Sequence, residues 1–176
     1  DAATGKTVRT YDRAEGVREL IVTGDTIYVI VDPGLAKDVE RKPGTSLSSY
    51  RRLTFNHPWK GDPVEIKAIH AVNKRVSWTH KGRVVPLSLT LSDGKICFHD
   101  GASIRCLDAA GGKELWVSKP LPLMPKMGTW FAPTLVMHDG LVLWVGGNRT
   151  LRHNRLKKGS GPDRFFALDG KTGKVL

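Results

Sequence analysis

The stretch DAAGGKELW (108–116) decides the fold, because related nine-residue phrases recur along the chain. They are DAATGKTVR (1–9), HAVNKRVSW (70–78) and the shorter DGKTGKVL (169–176), and all four align without a gap. The shared residues are an Asp at the first position, a Gly at the fifth and a Trp at the ninth: Asp1, Asp108, Asp169, Gly5, Gly112, Gly173, Trp78 and Trp116. Arg9 takes the ninth position of the first phrase, and His70 and Lys74 make the second phrase a degenerate copy. Such repetition predicts a series of similar structural units.

A second pattern precedes three of the phrases. LIVTGDTIYVIV (20–31), LTLSDGKICFHD (89–100) and LVMHDGLVLWVG (135–146) each contain an apolar run, a turn of Gly and Asp, and alternating apolar residues. This pattern is typical of hairpins, because Gly accepts the positive φ of a tight turn. We predict strands at 18–23, 26–31, 64–69 and 75–79, then 84–91, 95–99, 103–107 and 114–118, then 133–137, 141–145, 164–168 and the start of a fourth. Helical periodicity is not sustained anywhere over ten residues, so the chain should be all-β.

Four short antiparallel strands per repeat form the unit of a β-propeller blade. We predict a partial propeller over 1–176, with about three four-stranded antiparallel blades near 16–81, 82–127 and 128–176 and a blade remnant at 1–15. The long connections 32–63 and 146–163 both join the second and third strands of a blade and should project from one rim. Because the chain begins and ends inside the phrase, we expect a piece of a longer polypeptide. Its end blades should pack on the remaining blades of that protein or on another copy of the chain.

The phrases CLDAAGGKELW (106–116) and ALDGKTGKVL (167–176) resemble the tryptophan-docking repeat of quinoprotein-like, pyrroloquinoline-quinone-type β-propellers. The usual form there is Ala-x-Asp-x-x-x-Gly-Lys-x-x-Trp, and the resemblance covers nearly the whole chain. WD40 blades fit less well, because no Trp-Asp dipeptide occurs. The resemblance implies that each Trp lies flat on the Gly peptide of the next blade, and that each Asp accepts N–H groups in its turn. The shared residues are therefore interpreted as a structural docking motif.

The same resemblance raises the hypothesis of a quinoprotein dehydrogenase, which would imply a quinone cofactor, a calcium or lanthanide ion and an Asp base. This chain has no adjacent Cys pair and no matching acidic constellation. Only GTWFAPT (128–134), with Trp130 as a stacking candidate, is faintly similar to a cofactor-facing strand entry. The six histidines lack metal-ligand spacing and are interpreted as ordinary surface or turn residues. We predict no catalytic residue, no metal site and no cofactor.

The leading hypothesis is a non-catalytic propeller segment that acts as a scaffold or binding surface, as in the outer-membrane assembly and kinase-linked propellers that the repeat resembles. The alternative is part of a dehydrogenase dependent on pyrroloquinoline quinone and calcium. Because the family is mostly extracytoplasmic, the resemblance implies a periplasmic or secreted location. No apolar run approaches the length of a membrane span.

Charge points to one kind of partner. The formal net charge is +11, and NRTLRHNRLKKG (148–159) carries five cations without an acid. If this connection and 32–63 share a rim, they form a cationic patch for a polyanion, whose binding would weaken with salt. Its candidate residues are Arg51, Arg52, Lys60, Arg149, Arg152, Arg155, Lys157 and Lys158. The other interpretation is a solvated basic surface.

Two cysteines flank the turn of CFHDGASIRC (97–106). A turn centred between Gly101 and Ala102 places Cys97 opposite Cys106 and permits a cross-strand bridge. A turn centred on Asp100 and Gly101 shifts the register and forbids it. Two small buried thiols are the simpler interpretation, and the sequence leaves both possibilities open.

Overall fold

The computed structural model describes residues 1–12, 14–33, 61–121, 133–145 and 165–176. Within these ranges the chain is all-β, without a helix, and eleven strands form three antiparallel sheets. Accordingly, no helix in these ranges is long and apolar enough to cross a membrane. The prediction of about three antiparallel units is confirmed.

Each sheet follows chain order. The first contains β1 (Val17–Thr23), β2 (Thr26–Val31), β3 (Val64–His70) and β4 (Val76–Gly82). The second contains β5 (Thr90–Ser92), β6 (Lys95–His99), β7 (Ile104–Asp108) and β8 (Glu114–Val117). The third contains β9 (Thr134–His138), β10 (Leu141–Val145) and β11 (Phe165–Asp169). Val175 forms a single bridge to Leu168, where the predicted fourth strand begins.

The Asp-Gly pairs form the tight hairpin turns that the sequence indicated. Asp93 and Gly94 have φ of 50° and 69°, and Asp139 and Gly140 have φ of 46° and 72°. Positive φ at both central residues matches the twist of the flanking strands, which explains why a two-residue loop suffices there.

The predicted strand at 84–91 was wrong in its first part, because β5 contains only Thr90–Ser92. Val84 and Val85 are buried, which explains the strand-like apolar run, but Pro86 has no N–H for a ladder and Leu87 has a φ of 60°. Glu19 of β1 holds this irregular connection, because its carboxylate accepts the N–H groups of Leu87 and Leu89, both at 3.1 Å. Burial of the carboxyl raises the pKa of Glu19, against the effect of these two hydrogen bonds.

The three sheets pack face to face through two apolar interfaces. The first interface, between the first and second sheets, contains Ile66 of β3 and Ile96 and Phe98 of β6. The second interface, between the second and third sheets, contains Cys97 of β6 and Val142 of β10. Strand β6 is therefore apolar on both faces, because its alternating side chains point to two neighbouring sheets.

The hairpin of β6 and β7 settles the register that the sequence left open. Cys97 lies directly opposite Cys106, which corresponds to a turn centred between Gly101 and Ala102. Both cysteines are buried and carry free thiols.

One edge of all three sheets forms a continuous rim, which we call the upper rim. It contains the carboxyl ends of β4 and β6, joined by a cleft that Gly82 and Asp100 line. His99, at the end of β6, stacks on Trp144 near the end of β10. The ends of the long connections also lie there, since Val64 pairs with Gly82 and Val145 pairs with Phe165. The phrase turns lie at the opposite edge.

Candidate functional site

All four phrases form the same turn, including the degenerate second copy. In each, the N–H of the fifth residue donates to the carbonyl of the first: Gly5 to Asp1 at 2.9 Å, Lys74 to His70 at 2.9 Å, Gly112 to Asp108 at 2.8 Å and Gly173 to Asp169 at 2.8 Å. The fifth residue always has a positive φ, with values of 67°, 62°, 71° and 70°. The repeated turn thus does not itself require glycine, because Lys74 adopts it too.

The first residue of each phrase accepts N–H groups of its own turn. Asp169 Oδ1 accepts from Lys171 and Thr172 at 2.9 and 2.8 Å, and Asp1 and Asp108 make comparable bonds. The hydroxyl and N–H of Thr172 and the N–H of Lys171 lower the pKa of Asp169. In the degenerate copy, His70 Nδ1 accepts from Val72 at 3.2 Å. An imidazole nitrogen therefore replaces the carboxylate oxygen as the acceptor.

Each Trp at the ninth position lies against the glycine of the following phrase. A Cβ added to Gly112 would come within 2.7 Å of Trp78 Cδ2, and a Cβ at Gly173 would overlap Trp116 in the same way. The indole N–H groups donate to the second residue of that phrase, from Trp78 to Ala109 O at 2.9 Å and from Trp116 to Gly170 O at 3.2 Å. Each joint thus combines a ring contact with one hydrogen bond across an interface between sheets.

Arg9 makes the hydrogen bond of this joint without the ring. Its guanidinium donates to Ala71 O at 3.0 Å, and Ala71 is the second residue of its phrase. The fifth residue there is Lys74, whose Cβ no indole ring has to approach. Gly5, at the same position in the first phrase, has no atom of a described residue within 4 Å of an added Cβ. Glycine is therefore needed where a ring covers the turn. Comparison of the four phrases could not show whether the glycine serves the positive φ of the turn or the close approach of the ring.

The upper rim contains a cleft of about 420 Å³ between the first and second sheets. Strand β4 and the residue after it supply one wall, and the β6–β7 hairpin supplies the other. The lining residues are His80, Lys81, Gly82, Arg83, Phe98, Asp100, Ala102 and Arg105. Three permanent cations thus face one carboxylate in the lining.

Ion pairs decide which of these cations are available. Arg105 binds Asp100 and Glu114, and Lys81 pairs with Glu65 at 3.2 Å. Arg83 is exposed and makes no ion pair with any residue that the structure describes. Burial lowers the pKa of His80, so the imidazole is neutral near pH 7. Arg83 is therefore the cation of this cleft best able to bind an anion.

The second interface holds a buried polar pair that the sequence did not predict. His99 is fully buried, stacks on Trp144 with ring centroids 4.4 Å apart, and accepts the N–H of Gly101 at Nδ1 over 2.9 Å. Its interpretation as an ordinary surface or turn histidine was wrong, because β6 turns this side chain toward the third sheet. Burial lowers the pKa of His99 to about 4. No described residue is a hydrogen-bond partner for His99 Nε2 or Trp144 Nε1.

Several predicted site residues lie outside the described residues. These are Trp130 and all eight members of the proposed cationic patch: Arg51, Arg52, Lys60, Arg149, Arg152, Arg155, Lys157 and Lys158. Among the side chains that the structure does describe, no three His, Cys, Asp or Glu residues come together in a way that could hold a metal ion.

Solved structures resemble this chain in fold. It aligns with a europium-containing methanol dehydrogenase with a TM-score of 0.56 and 19% identity, over 92% of this chain and 25% of that chain. The quinohemoprotein alcohol dehydrogenase from Comamonas testosteroni gives a TM-score of 0.52 and 18% identity, over 92% of this chain and 21% of that chain. The computationally designed Ika8 protein gives a TM-score of 0.52 and 13% identity, over 91% of this chain and 35% of that chain.

The chain therefore spans about a quarter of the methanol dehydrogenase and about a fifth of the alcohol dehydrogenase. The sequence matches no family model and no curated protein. At these identities the likeness shows the fold alone. Together with the three sheets, it identifies the chain as an all-β, partial β-propeller, as the repeat predicted.

Proposed function

We propose that the chain is a non-catalytic β-propeller segment that serves as a scaffold and binding surface, and that its upper rim binds a polyanion. The observation that carries this proposal is the rim cleft, where Arg83 has no ion-pair partner among the described residues. An exposed guanidinium offers a planar fork of donors that fits sulfate, phosphate and carboxylate groups.

Topology and charge support the same rim. The connection that carries Arg51, Arg52 and Lys60 joins Val31 to Val64, and the connection that carries the other five candidate cations joins Val145 to Phe165. All four strand ends belong to the upper rim. With a formal net charge of +11, the whole chain attracts polyanions, and the rim is where we propose that the attraction becomes a site.

Retention on immobilised heparin, eluted with a salt gradient, tests this proposal. The expected result is that Arg83→Gln elutes at lower salt than the wild type, and that the triple variant Arg152→Gln, Arg155→Gln, Lys157→Gln elutes at much lower salt. Each lost contact should reduce the slope of log K against log salt by about one. Fluorescence anisotropy with heparin and with duplex DNA of matched length then distinguishes a sulfated polysaccharide from nucleic acid.

A charge-matched control separates a site from general attraction. Lys113, Lys171 and Lys174 are exposed residues of the phrase turns, at the opposite edge. The triple variant with Gln at these positions removes the same charge and should change elution much less than the rim triple. Equal shifts for the two triples, or no retention of the wild type, would contradict the proposed rim site.

The alternative function is part of a dehydrogenase that depends on pyrroloquinoline quinone and calcium. The described residues do not fit that cofactor, because they assemble no metal-ligand cluster, and Cys97 and Cys106 are not adjacent in sequence. Reconstitution of the longest natural polypeptide with the quinone and calcium, followed by dye reduction with alcohols, would reveal this activity. We propose no cofactor for the segment itself.

The proposed partners include other blades. We propose that the exposed faces of the first and third sheets pack on further blades of the same protein or on another copy of the chain. Leu20 and Val22 of β1 are each 57% exposed, and Phe165 of β11 is 62% exposed, which supports this proposal. An extracytoplasmic location is part of the same proposal and can be tested by cell fractionation of the source organism.

A further inference from the structure

Cys97 and Cys106 occupy a position where a covalent bond between strands is geometrically possible. They are direct cross-strand partners in the antiparallel pair of β6 and β7. Opposed residues in such pairs have Cα atoms about 4.5 or 5.5 Å apart, and a disulfide accepts about 4.4–6.8 Å. Both possible spacings therefore satisfy the requirement without movement of the backbone.

The two thiols also interact with each other. Their hydrogen bond, together with burial, raises the pKa of Cys97, and the same hydrogen bond lowers the pKa of Cys106. Such a mutual effect requires neighbouring sulfur atoms. The side chains thus point to the same face of the sheet and toward each other, as a disulfide needs.

We propose that Cys97 and Cys106 form a cross-strand disulfide when the chain folds in the presence of a small-molecule disulfide. The thiolate of one cysteine attacks the oxidant, which forms a mixed disulfide and releases one thiol. The second cysteine, as its thiolate, then attacks the protein sulfur of that mixed disulfide and releases the second thiol. The two protein sulfurs lose two electrons and two protons, and the oxidant is reduced to two thiols.

The bond would lie in the middle of a row that crosses the second sheet. Thr90 of β5 is opposite Cys97, and Trp116 of β8 is opposite Cys106. The disulfide would therefore lock the register of the hairpin that positions Trp116 against Gly170 and Gly173. Because both thiols are fully buried, exchange requires the hairpin to open, so the bond should form during folding and resist reduction afterwards.

The test is refolding of the denatured, reduced chain in glutathione buffers of increasing oxidised fraction. Samples are quenched with acid, alkylated in denaturant and digested with trypsin, which cleaves after Lys95, Arg105 and Lys113. The expected product is peptide 96–105 linked to peptide 106–113, lighter by two hydrogen atoms than the sum of the two. Both peptides should lose alkylation together, and dithiothreitol in denaturant should separate them.

Single variants provide the matched control. In Cys97→Ser and Cys106→Ser the remaining cysteine can form only a mixed disulfide with glutathione or a bond between chains. The wild-type link should form at a lower oxidised fraction than those adducts, at least tenfold by glutathione ratio, and in a monomer by size-exclusion chromatography. If both wild-type cysteines stay fully alkylatable in oxidised buffer, or if the link occurs only between chains, the proposal is overturned. This result depends on the wild type alone and stands whether or not the variants fold.

Discussion

The two interfaces between sheets share one joint and differ in what they bury. Each is closed by a Trp whose ring covers a glycine and whose N–H reaches a carbonyl of the next phrase. In the first interface the buried side chains are aliphatic and aromatic, and Tyr28 donates its hydroxyl to Ala109 O at 3.1 Å. The second interface buries two thiols together with His99 and Trp144, and two of its N–H groups have no partner in the described part of the chain.

This difference separates the repeated part of a blade from the part that varies. The joint repeats because a ring, a glycine and a carbonyl must meet at fixed positions, whereas the interior needs only to fill space. An unpaired buried N–H costs about 1–3 kcal/mol, so we expect the second interface to contribute less net stability per buried area than the first.

Removal of a docking ring should have the largest effect. Trp116→Ala leaves a cavity at the second interface and should reduce the free energy of unfolding by about 3–5 kcal/mol. Trp78→Ala should cause a similar loss at the first interface. Urea denaturation measures both. Arg9→Ala is the control, because Arg9 makes the equivalent hydrogen bond but is exposed, and it should cost under about 1 kcal/mol. If Trp116→Ala lost no more stability than Arg9→Ala, the ring would not be what holds the sheets together.

Acid should weaken the second interface more than the first. The pKa of His99 is about 4 in the folded chain against an ordinary value of 6.5, and Asp100 is the charged neighbour that opposes this shift. The unfolded chain therefore takes up this proton first, so stability is complete above about pH 6.5 and falls as the pH decreases to about 4. The expected loss is about 3 kcal/mol.

Denaturation at pH 7 and at pH 4 in His99→Gln tests the assignment, because the variant should lose most of this pH dependence. His138→Gln is the matched control, since it removes a histidine whose side chain is 77% exposed and lies outside the second interface. An unchanged acid response in His99→Gln would mean that other groups, such as the carboxylates paired with Arg105, cause it.

The ring contact and the turn can be separated at the fifth position. Gly112→Ala adds a Cβ that would lie 2.7 Å from Trp78, at a φ of 71°, and should cost about 2–3 kcal/mol. Gly5→Ala meets no atom of the described residues within 4 Å at a φ of 67°, so it should carry only the backbone cost of about 1 kcal/mol. Thermal unfolding of the two variants measures the difference, and equal losses would assign the glycine to the turn alone.

Much of the fold could be predicted because it depends on local patterns. The Asp-Gly turns, the alternation along β6 and the spacing of the phrases each express a backbone requirement that the sequence displays. The segment 84–89 could not be predicted correctly, because burial of Val84 and Val85 gives the same apolar run as a strand. Its path depends on Glu19, which is distant in sequence. The burial of His99 could not be predicted for a similar reason, since only packing against the third sheet buries that face of β6. The cleft around Arg83 likewise could not be predicted, because it forms only where two sheets meet.

The smallest effect concerns conversion of the Arg9 joint into a Trp joint like those at the two interfaces. Arg9→Trp alone should change the free energy of unfolding little, because the Cβ of Lys74 occupies the space that Gly112 leaves open for Trp78. Lys74→Gly alone should change stability by under about 1 kcal/mol, since relief at a φ of 62° is offset by the flexibility that glycine gives the unfolded chain. In the double variant the indole can lie on the turn and donate to Ala71 O, as the guanidinium does now at 3.0 Å. We therefore expect a favourable coupling of about 1 kcal/mol in a double-mutant cycle measured by urea denaturation. Additive single effects would show that the fifth-position glycine and the ninth-position ring do not act as one unit.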